Sequence, residues 1–246
     1  MVNYETLTWK QINCLAEQIT IIPVGSIEQH SLHLPLNVDS FLAESIGKML
    51  AEKINAIVTP TIVYGANSLS NSGGGKFFPG SVGLSGTVLI EYYKQILTQY
   101  LKNGARRILI LNAHWENERF LIEAVEELNI NEPIHIVVTS WWNVVSAKEM
   151  LSIFPSFCSW EVEHAGQAET ALLLFLKPEW VKTFDSRVKN VSYNYNVYSS
   201  SPNLLLEENL GALSAYQHVD WKMGKDLFEL VISNLIKMLK EVNLYE

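Results

Sequence analysis

Apolar positions along the chain fall into two alternating patterns. Short, nearly unbroken apolar runs occupy residues 19–24, 56–64, 107–111 and 134–140, the signature of strands buried on both faces. Between them apolar residues recur at helical spacing. Phe41, Leu42, Ile46, Leu50 and Ile54 do so within 40–54, and Leu89, Tyr93, Ile96, Leu97 and Leu101 within 87–103, where Gly104 stands as a helix stop. Further helices are expected over 117–128, up to about residue 175, and over 222–242; a helical arm over 1–18 would present Leu7, Trp9, Ile12 and Leu15. Pro60 should interrupt the second strand, because proline brings no N–H to a ladder. Strands alternating with helices imply an α/β fold, a mostly parallel sheet covered by helices on both faces. Residues 184–209 are polar and weakly periodic and form a surface loop or an inter-subunit contact, with a turn over 210–216. No repeat divides the 246 residues, which read as one domain over 1–246.

The polar residues that follow two of these runs carry the candidate chemistry. Glu28-Gln29-His30 follows the first run, with Glu28 and His30 two apart and therefore on the same side of an extended segment. Asp39 precedes the next helix, either as its N-cap, in company with Ser40, or as a metal ligand. The order then repeats: the run 107–111 is followed by His114-Trp115-Glu116 and a helix. If the two strands are neighbours, Glu28, His30, His114 and Glu116 meet outside the carboxyl ends of the sheet, with Asp39 between them. Two His/Glu pairs and one shared carboxylate suit two divalent ions, and a hydroxide would balance the remaining positive charge. Ions so paired supply a hydroxide nucleophile near neutral pH and polarise a carbonyl, which hydrolysis of an amide or ester requires. With no cysteine in the set, zinc, manganese or a similar ion is implied.

Other features narrow the setting. The polar loop over 67–86 contains Ser72-Gly73-Gly74-Gly75 and Phe78-Pro79-Gly80; it is either a flexible linker or bare backbone that presents amides to an anion or that a ligand approaches closely. Lys76 is not followed by Ser or Thr, so the loop is no phosphate loop of the Walker kind. Trp141-Trp142 closes a strand, where each indole N–H needs a partner, and at least one of the two either contacts a ligand or fills the core. A net charge of −8 without a basic cluster longer than Arg106-Arg107 argues against a nucleic-acid partner. No apolar run is long enough for a bilayer and no signal-peptide pattern is visible, so no membrane partner and a cytoplasmic location are expected. Cys14 and Cys158 read as free thiols, His33 and His218 as structural or surface residues, and His135 as a strand histidine.

An ordered set of motifs resembles the creatininase (creatinine amidohydrolase) family over most of the chain. The set comprises Pro23-Val24-Gly25-Ser26-Ile27-Glu28-Gln29-His30, Asn37-Val38-Asp39, Tyr64-Gly65, Ser72 to Gly75 with Phe78-Pro79-Gly80, Asn112 to Asn117, and Glu163-His164-Ala165-Gly166 with Glu169-Thr170. The resemblance implies a creatininase-like fold and a hydrolase acting on a cyclic amide C–N bond, creatinine plus water giving creatine. It implies two divalent ions per chain, zinc and/or manganese, with Glu28, Asp39 and His114 on one and His30, Asp39 and Glu116 on the other. It implies that His164 is a catalytic proton shuttle, alongside Glu116. Glu169 either orients a ligand or the metal cluster, or is an ordinary first-turn helix carboxylate. Substrate contacts would come from Ser72, Gly73, Trp115, Trp142, Trp160 and His164, the aromatic faces suiting a planar, guanidine-like ring. A small-molecule amide is the implied partner, and a homo-oligomer, a hexamer built from dimers, the implied assembly. Relatives acting on another small amide, a formamide or a modified peptide end supply the nearest alternative, and a non-catalytic binding protein the alternative from another class. The chain departs from the family pattern at Ser31-Leu32, where Gly-Pro or Gly-His is common, and at Ala113, where Gly is usual.

Overall fold

The computed structural model describes residues 2–128, 133–191, 198, 200–201 and 204–245. Five strands, β1 (Val2–Asn3), β2 (Ile19–Val24), β3 (Ile57–Val58), β4 (Arg107–Asn112) and β5 (His135–Ser140), form one parallel sheet in the order β1-β3-β2-β4-β5. The helices are α1 (Val38–Ile54), α2 (Gly86–Lys102), α3 (Glu118–Glu126), α4 (Ala147–Ile153), α5 (Gln167–Leu176), α6 (Leu204–Glu208) and α7 (Trp221–Glu241). The central strands alternate their side chains between two cores. Ile19 and Ile21 of β2 and Leu109 and Leu111 of β4 pack with α1, α5 and α7, whereas Ile22, Val24, Ile108 and Ile110 pack on the opposite face with α2 and α3. The expected parallel sheet with helices on both faces is therefore the observed one.

β2 and β4 pair in register from Ile19↔Arg107 to Val24↔Asn112. From β2 the chain crosses through α1 to β3 on one side, and from β3 it returns through α2 to β4 on the other. This reversal is the switch point of the sheet, where a crevice opens outside the carboxyl ends of two strands.

Several local expectations are corrected. The N-terminal arm is the short strand β1, paired with β3, followed by 3-10 turns over Tyr4–Thr6 and Ile12–Ala16. Edge pairing satisfies its backbone where a helix was expected. The second strand keeps only Ile57–Val58; Pro60 ends it, and pairing resumes at one bridge, Val24↔Ile62. Helix α1 starts at Val38 with Asn37 at its N-cap, so Asp39 and Ser40 lie inside the first turn and cap nothing. The Ser40 hydroxyl instead donates to Ser26 O. Helices α4 and α6 were not anticipated, although Ser146 and Glu149 at the start of α4 form a reciprocal capping box that the sequence displays. Within 184–209, residues 192–197, 199 and 202–203 lie outside the described residues. The Cys14 side chain does too, and Cys158 is a free, exposed thiol. No helix among the described residues is long and apolar enough to cross a membrane.

Candidate metal centre and its pocket

Four of the five expected ligands converge at the β2/β4 switch point. Glu28 and His30 lie just beyond β2, Asp39 on the first turn of α1, and His114 two residues beyond β4. All four are at most 3% exposed. His114 Nδ1 lies 3.1 Å from Glu28 Oε2 and 2.9 Å from Asp39 Oδ2, while His30 Nε2 lies 3.1 Å from Asp39 Oδ1. Asp39 thus offers one oxygen to each half of the cluster, the geometry of a bridging carboxylate.

Each histidine is oriented by its other nitrogen. His114 Nε2–H donates to Ala66 O at 3.0 Å, and His30 Nδ1–H donates to Glu28 O at 3.1 Å. Backbone carbonyls can only accept, so the lone pairs are aimed at the carboxylates, as metal-ligating histidines are held. Glu28 Oε1, His30 Nε2 and Asp39 Oδ2 are buried and make no hydrogen bond among the described residues. Buried polar atoms left in this condition are costly unless a cation takes their lone pairs.

Electrostatics points the same way. Burial by itself would raise the Glu28 carboxyl, but the rings of His164 and His114 outweigh it and bring it down to about 2. Burial likewise opposes the Asp39 charge, yet His30 and His114 hold its carboxyl well below the usual range. Burial would lower both histidines, and the carboxylates instead raise them well above their ordinary value, Asp39 and Glu169 acting on His30, Glu28 and Asp39 on His114. The cluster is built around positive charge, and the donor set fits two divalent cations.

The third carboxylate of the second triad differs from the expected one. His30 and Asp39 are joined by Glu169, whose Oε2 lies 3.6 Å from His30 Nε2; ligand atoms of these three fall within 4.8 Å of one another, as do those of Glu28, Asp39 and His114 and those of Glu28, His30 and His164. Glu169 sits in the first turn of α5 and is fixed by the Ala165 N–H at 2.7 Å. Glu116 is buried beside the cluster, 3.4 Å from His114 Nε2, but it accepts from the Ser72 hydroxyl and from Leu69 N at 3.2 Å. Burial raises its carboxyl. The glycine-rich loop therefore closes over carboxylates and is no anion cradle: at Gly73 a Cβ would stand 1.8 Å from Glu28 Oε1, so only glycine fits.

The remaining pocket wall is aromatic. Trp115 and Trp142 stack with centroids 5.6 Å apart and planes 18° apart. Trp141 lies edge-on to Trp160, whose Nε1 donates to Val145 O at 3.1 Å. His164, Ser72, Gly73 and Glu163 also line the pocket. His164 Nδ1 lies 3.9 Å from Glu28 Oε2, and its ring tilts over that of His30 at 4.6 Å. Glu163 is buried, which pushes its carboxyl up to about 8 against hydrogen bonds from Ala168 N and Ser214 Oγ. His33 is structural: fully buried, it stacks on Tyr216 at 3.6 Å and bonds Thr170 Oγ1 at 2.8 Å. His218 is exposed and His135 lies on β5.

Comparison with known proteins finds relatives over nearly the whole chain. The family model described as creatinine amidohydrolase matches residues 5–239. The chain is 31% identical to creatinine amidohydrolase of Pseudomonas putida over 247 residues, covering 96% of this chain and 95% of that protein. It is 29% identical to the mycofactocin precursor peptide peptidase of Mycolicibacterium smegmatis, over 72% of this chain and 65% of that one. Among solved structures, a mutant creatininase complexed with creatine superposes with a TM-score of 0.89 at 29% identity, covering 98% of both chains. A mutant creatininase of Zn-Zn type gives 0.87 and a manganese creatininase 0.85, each at 29% identity, covering 97% and 98% of both chains respectively.

Proposed function

The chain belongs to the creatininase family of hydrolases acting on amide bonds, and from that premise we propose that it opens a planar cyclic amide, creatinine, to creatine in one catalytic domain over residues 1–246. Glu28, Asp39 and His114 would hold one divalent ion and His30, Asp39 and Glu169 the other, with zinc and manganese the candidate metals. Such a pair, when bound, supplies an activated water and polarises the substrate carbonyl.

The protein groups do the rest. Glu116, beside the cluster but tied to Ser72 and Leu69, is suited to take the proton of the attacking water. Ser72 and Gly73 shape the rim on the carboxylate side. Trp115, Trp142 and Trp160 bind a flat ring by its faces and exclude water from it. His164 points Nδ1 into the pocket and serves the leaving nitrogen. The observation that carries the choice of substrate is this aromatic wall lining one pocket with the carboxylate–histidine cluster, which offers a planar molecule ring faces to stack on.

The test is creatine release from creatinine, with zinc and manganese supplied separately to metal-stripped protein. Turnover is expected with at least one of them. Two bound ions per chain and no creatine release at millimolar creatinine would move the reading to another small amide or a peptide end.

A further inference from the structure

Asn117 closes the turn that carries His114, Trp115 and Glu116 and stands at the N-cap of α3, where an asparagine ordinarily accepts an N–H of its own helix. Its side chain makes no such bond. It turns inward, fully buried, and reaches three segments at once. Oδ1 accepts the Ala66 N–H at 2.8 Å, while Nδ2 donates to Gly25 O at 3.0 Å and to Asn112 Oδ1 at 3.3 Å. A backbone N–H only donates and a carbonyl only accepts, so the amide has one orientation. The approach is close. At Gly65 a Cβ would stand 2.5 Å from Asn117 Oδ1 and 2.7 Å from Gly25 O, so the 64–66 segment reaches the amide only because residue 65 is glycine.

Both ends of His114 depend on this amide. The main chain of His114 is bracketed by Asn112, whose Oδ1 accepts the His114 N–H at 3.1 Å and whose Nδ2 donates to His114 O at 2.7 Å. Asn117 bonds that same Oδ1. The ring of His114 is held by Ala66 O, 3.0 Å from Nε2, and Asn117 holds the N–H of the same alanine. We infer that Asn117 is a positioning residue of the metal centre: it fixes Ala66 and Asn112 relative to each other and so aims His114 Nδ1 at the ion shared with Glu28 and Asp39.

The anchor matters because His114 Nε2 has a second acceptor within reach, Glu116 Oε2 at 3.4 Å. A ring turned toward Glu116 would carry Nδ1 away from Glu28 Oε2 and Asp39 Oδ2, which it meets at 3.1 and 2.9 Å. It would also engage the carboxylate assigned above to the attacking water. A ligand already held in its bound position loses less freedom when the ion arrives, and groups bonded behind a ligand are worth roughly 10- to 100-fold in metal affinity. The three bonds of Asn117 reach neither His30 nor Glu169, so its effect falls on one of the two ions.

The inference rests on the metal-centre reading above, and zinc binding tests it without turnover. Metal-stripped wild type, Asn117→Ser, His114→Ala and the double variant are each titrated with zinc against a competing chelator. Serine is itself a good N-cap, so α3 keeps its start. Wild type is expected to bind two ions, and Asn117→Ser to bind one of them as wild type does and the other roughly 10- to 100-fold more weakly. The double variant should match His114→Ala within about 3-fold, because a residue acting through His114 has nothing to act on once the ring is gone. Unchanged affinity for both ions in Asn117→Ser would overturn the inference. So would losses that multiply in the double variant, the mark of a general structural role. If Asn117→Ser does not fold, a zinc-loaded crystal structure of the wild type decides: zinc on His114 Nδ1 with the Ala66 and Asn112 bonds kept is expected, and zinc on Nε2 overturns the inference. Wild type that binds no zinc would remove the metal centre and this inference with it, whereas two bound ions without creatinine hydrolysis would sink the substrate assignment alone.

Discussion

The two walls of the pocket are built on opposite principles. The wall at the β2/β4 edge is charged: Glu28, His30 and His114 sit just beyond the two strands and Asp39 on the first turn of α1, all at most 3% exposed, and each histidine is aimed by a backbone carbonyl. The facing wall is aromatic and comes from 3-10 turns over Trp115–Asn117, Trp141–Val144 and Trp160–Val162; Trp115 on it is 45% exposed. The first wall is suited to holding highly charged cations at fixed distances, which rewards rigidity. The second is suited to accepting a flat, weakly polar guest, which rewards surface and tolerates adjustment. Chemistry and selectivity are divided between the walls, and substitutions on each should fail differently.

The largest expected effect lies on the charged wall and separates its two carboxylate roles. Glu169→Gln should lower bound metal from two ions per chain toward one and reduce turnover by roughly 100-fold or more, because the second triad loses its third donor. Glu116→Gln should cost as much activity while both ions remain, since Glu116 is held by Ser72 and Leu69 outside either triad. Metal analysis beside kcat distinguishes the two. Loss of an ion from Glu116→Gln together with full metal in Glu169→Gln would restore the ligand set drawn from resemblance.

That exchange marks where the sequence ceased to be readable. Glu28, His30 and His114 follow apolar runs that had to be buried strands, so adjacency of two strands was enough to bring them together. Asp39 is two residues into a helix whose periodicity is plain. Glu169 has no such signal: a carboxylate in a first helical turn is commonplace, and only the packing of α5 against α7 and α1 carries it to His30. The two hydrogen bonds by which the buried Gln29 amide donates to Gly73 O and Gly211 O were hidden in another way, because glycines far along the chain carry no side-chain pattern to read. At the periphery, edge pairing rather than periodicity decided β1, and α6 was lost in a stretch whose composition reads as loop.

A smaller effect is expected on the aromatic wall. Trp142→Ala removes the ring that stacks on Trp115. It should raise KM for creatinine by about 10-fold, the value of roughly 1–1.5 kcal/mol of lost aromatic contact. Metal content should not change. A fall in bound metal would mean that the walls are mechanically coupled and that the division between them is too sharp.

The smallest effect concerns the backbone that each wall strains. Directly after a site histidine, each has one non-glycine residue in the left-handed region: Ser31 at φ +57° after His30, and Ala165 at φ +48° after His164. A left-handed conformation costs a residue with a Cβ about 1–2 kcal/mol, which gives a reason for glycine after His30 elsewhere in the family. Glycine relieves that strain but returns about 0.4–1 kcal/mol through the freer unfolded chain. At Ser31 the exchange also removes a buried hydroxyl with no hydrogen-bond partner among the described residues, so Ser31→Gly should stabilise by about 0.5–1 kcal/mol. At Ala165 the methyl is fully buried with Val188, Ala212 and Tyr216, and its loss costs about 0.8 kcal/mol, bringing Ala165→Gly close to zero. Denaturant midpoints of the two variants measure the difference directly. Equal stabilisation at both would show that the Ala165 methyl contributes nothing to holding the loop that presents His164 and the amide bonded to Glu169.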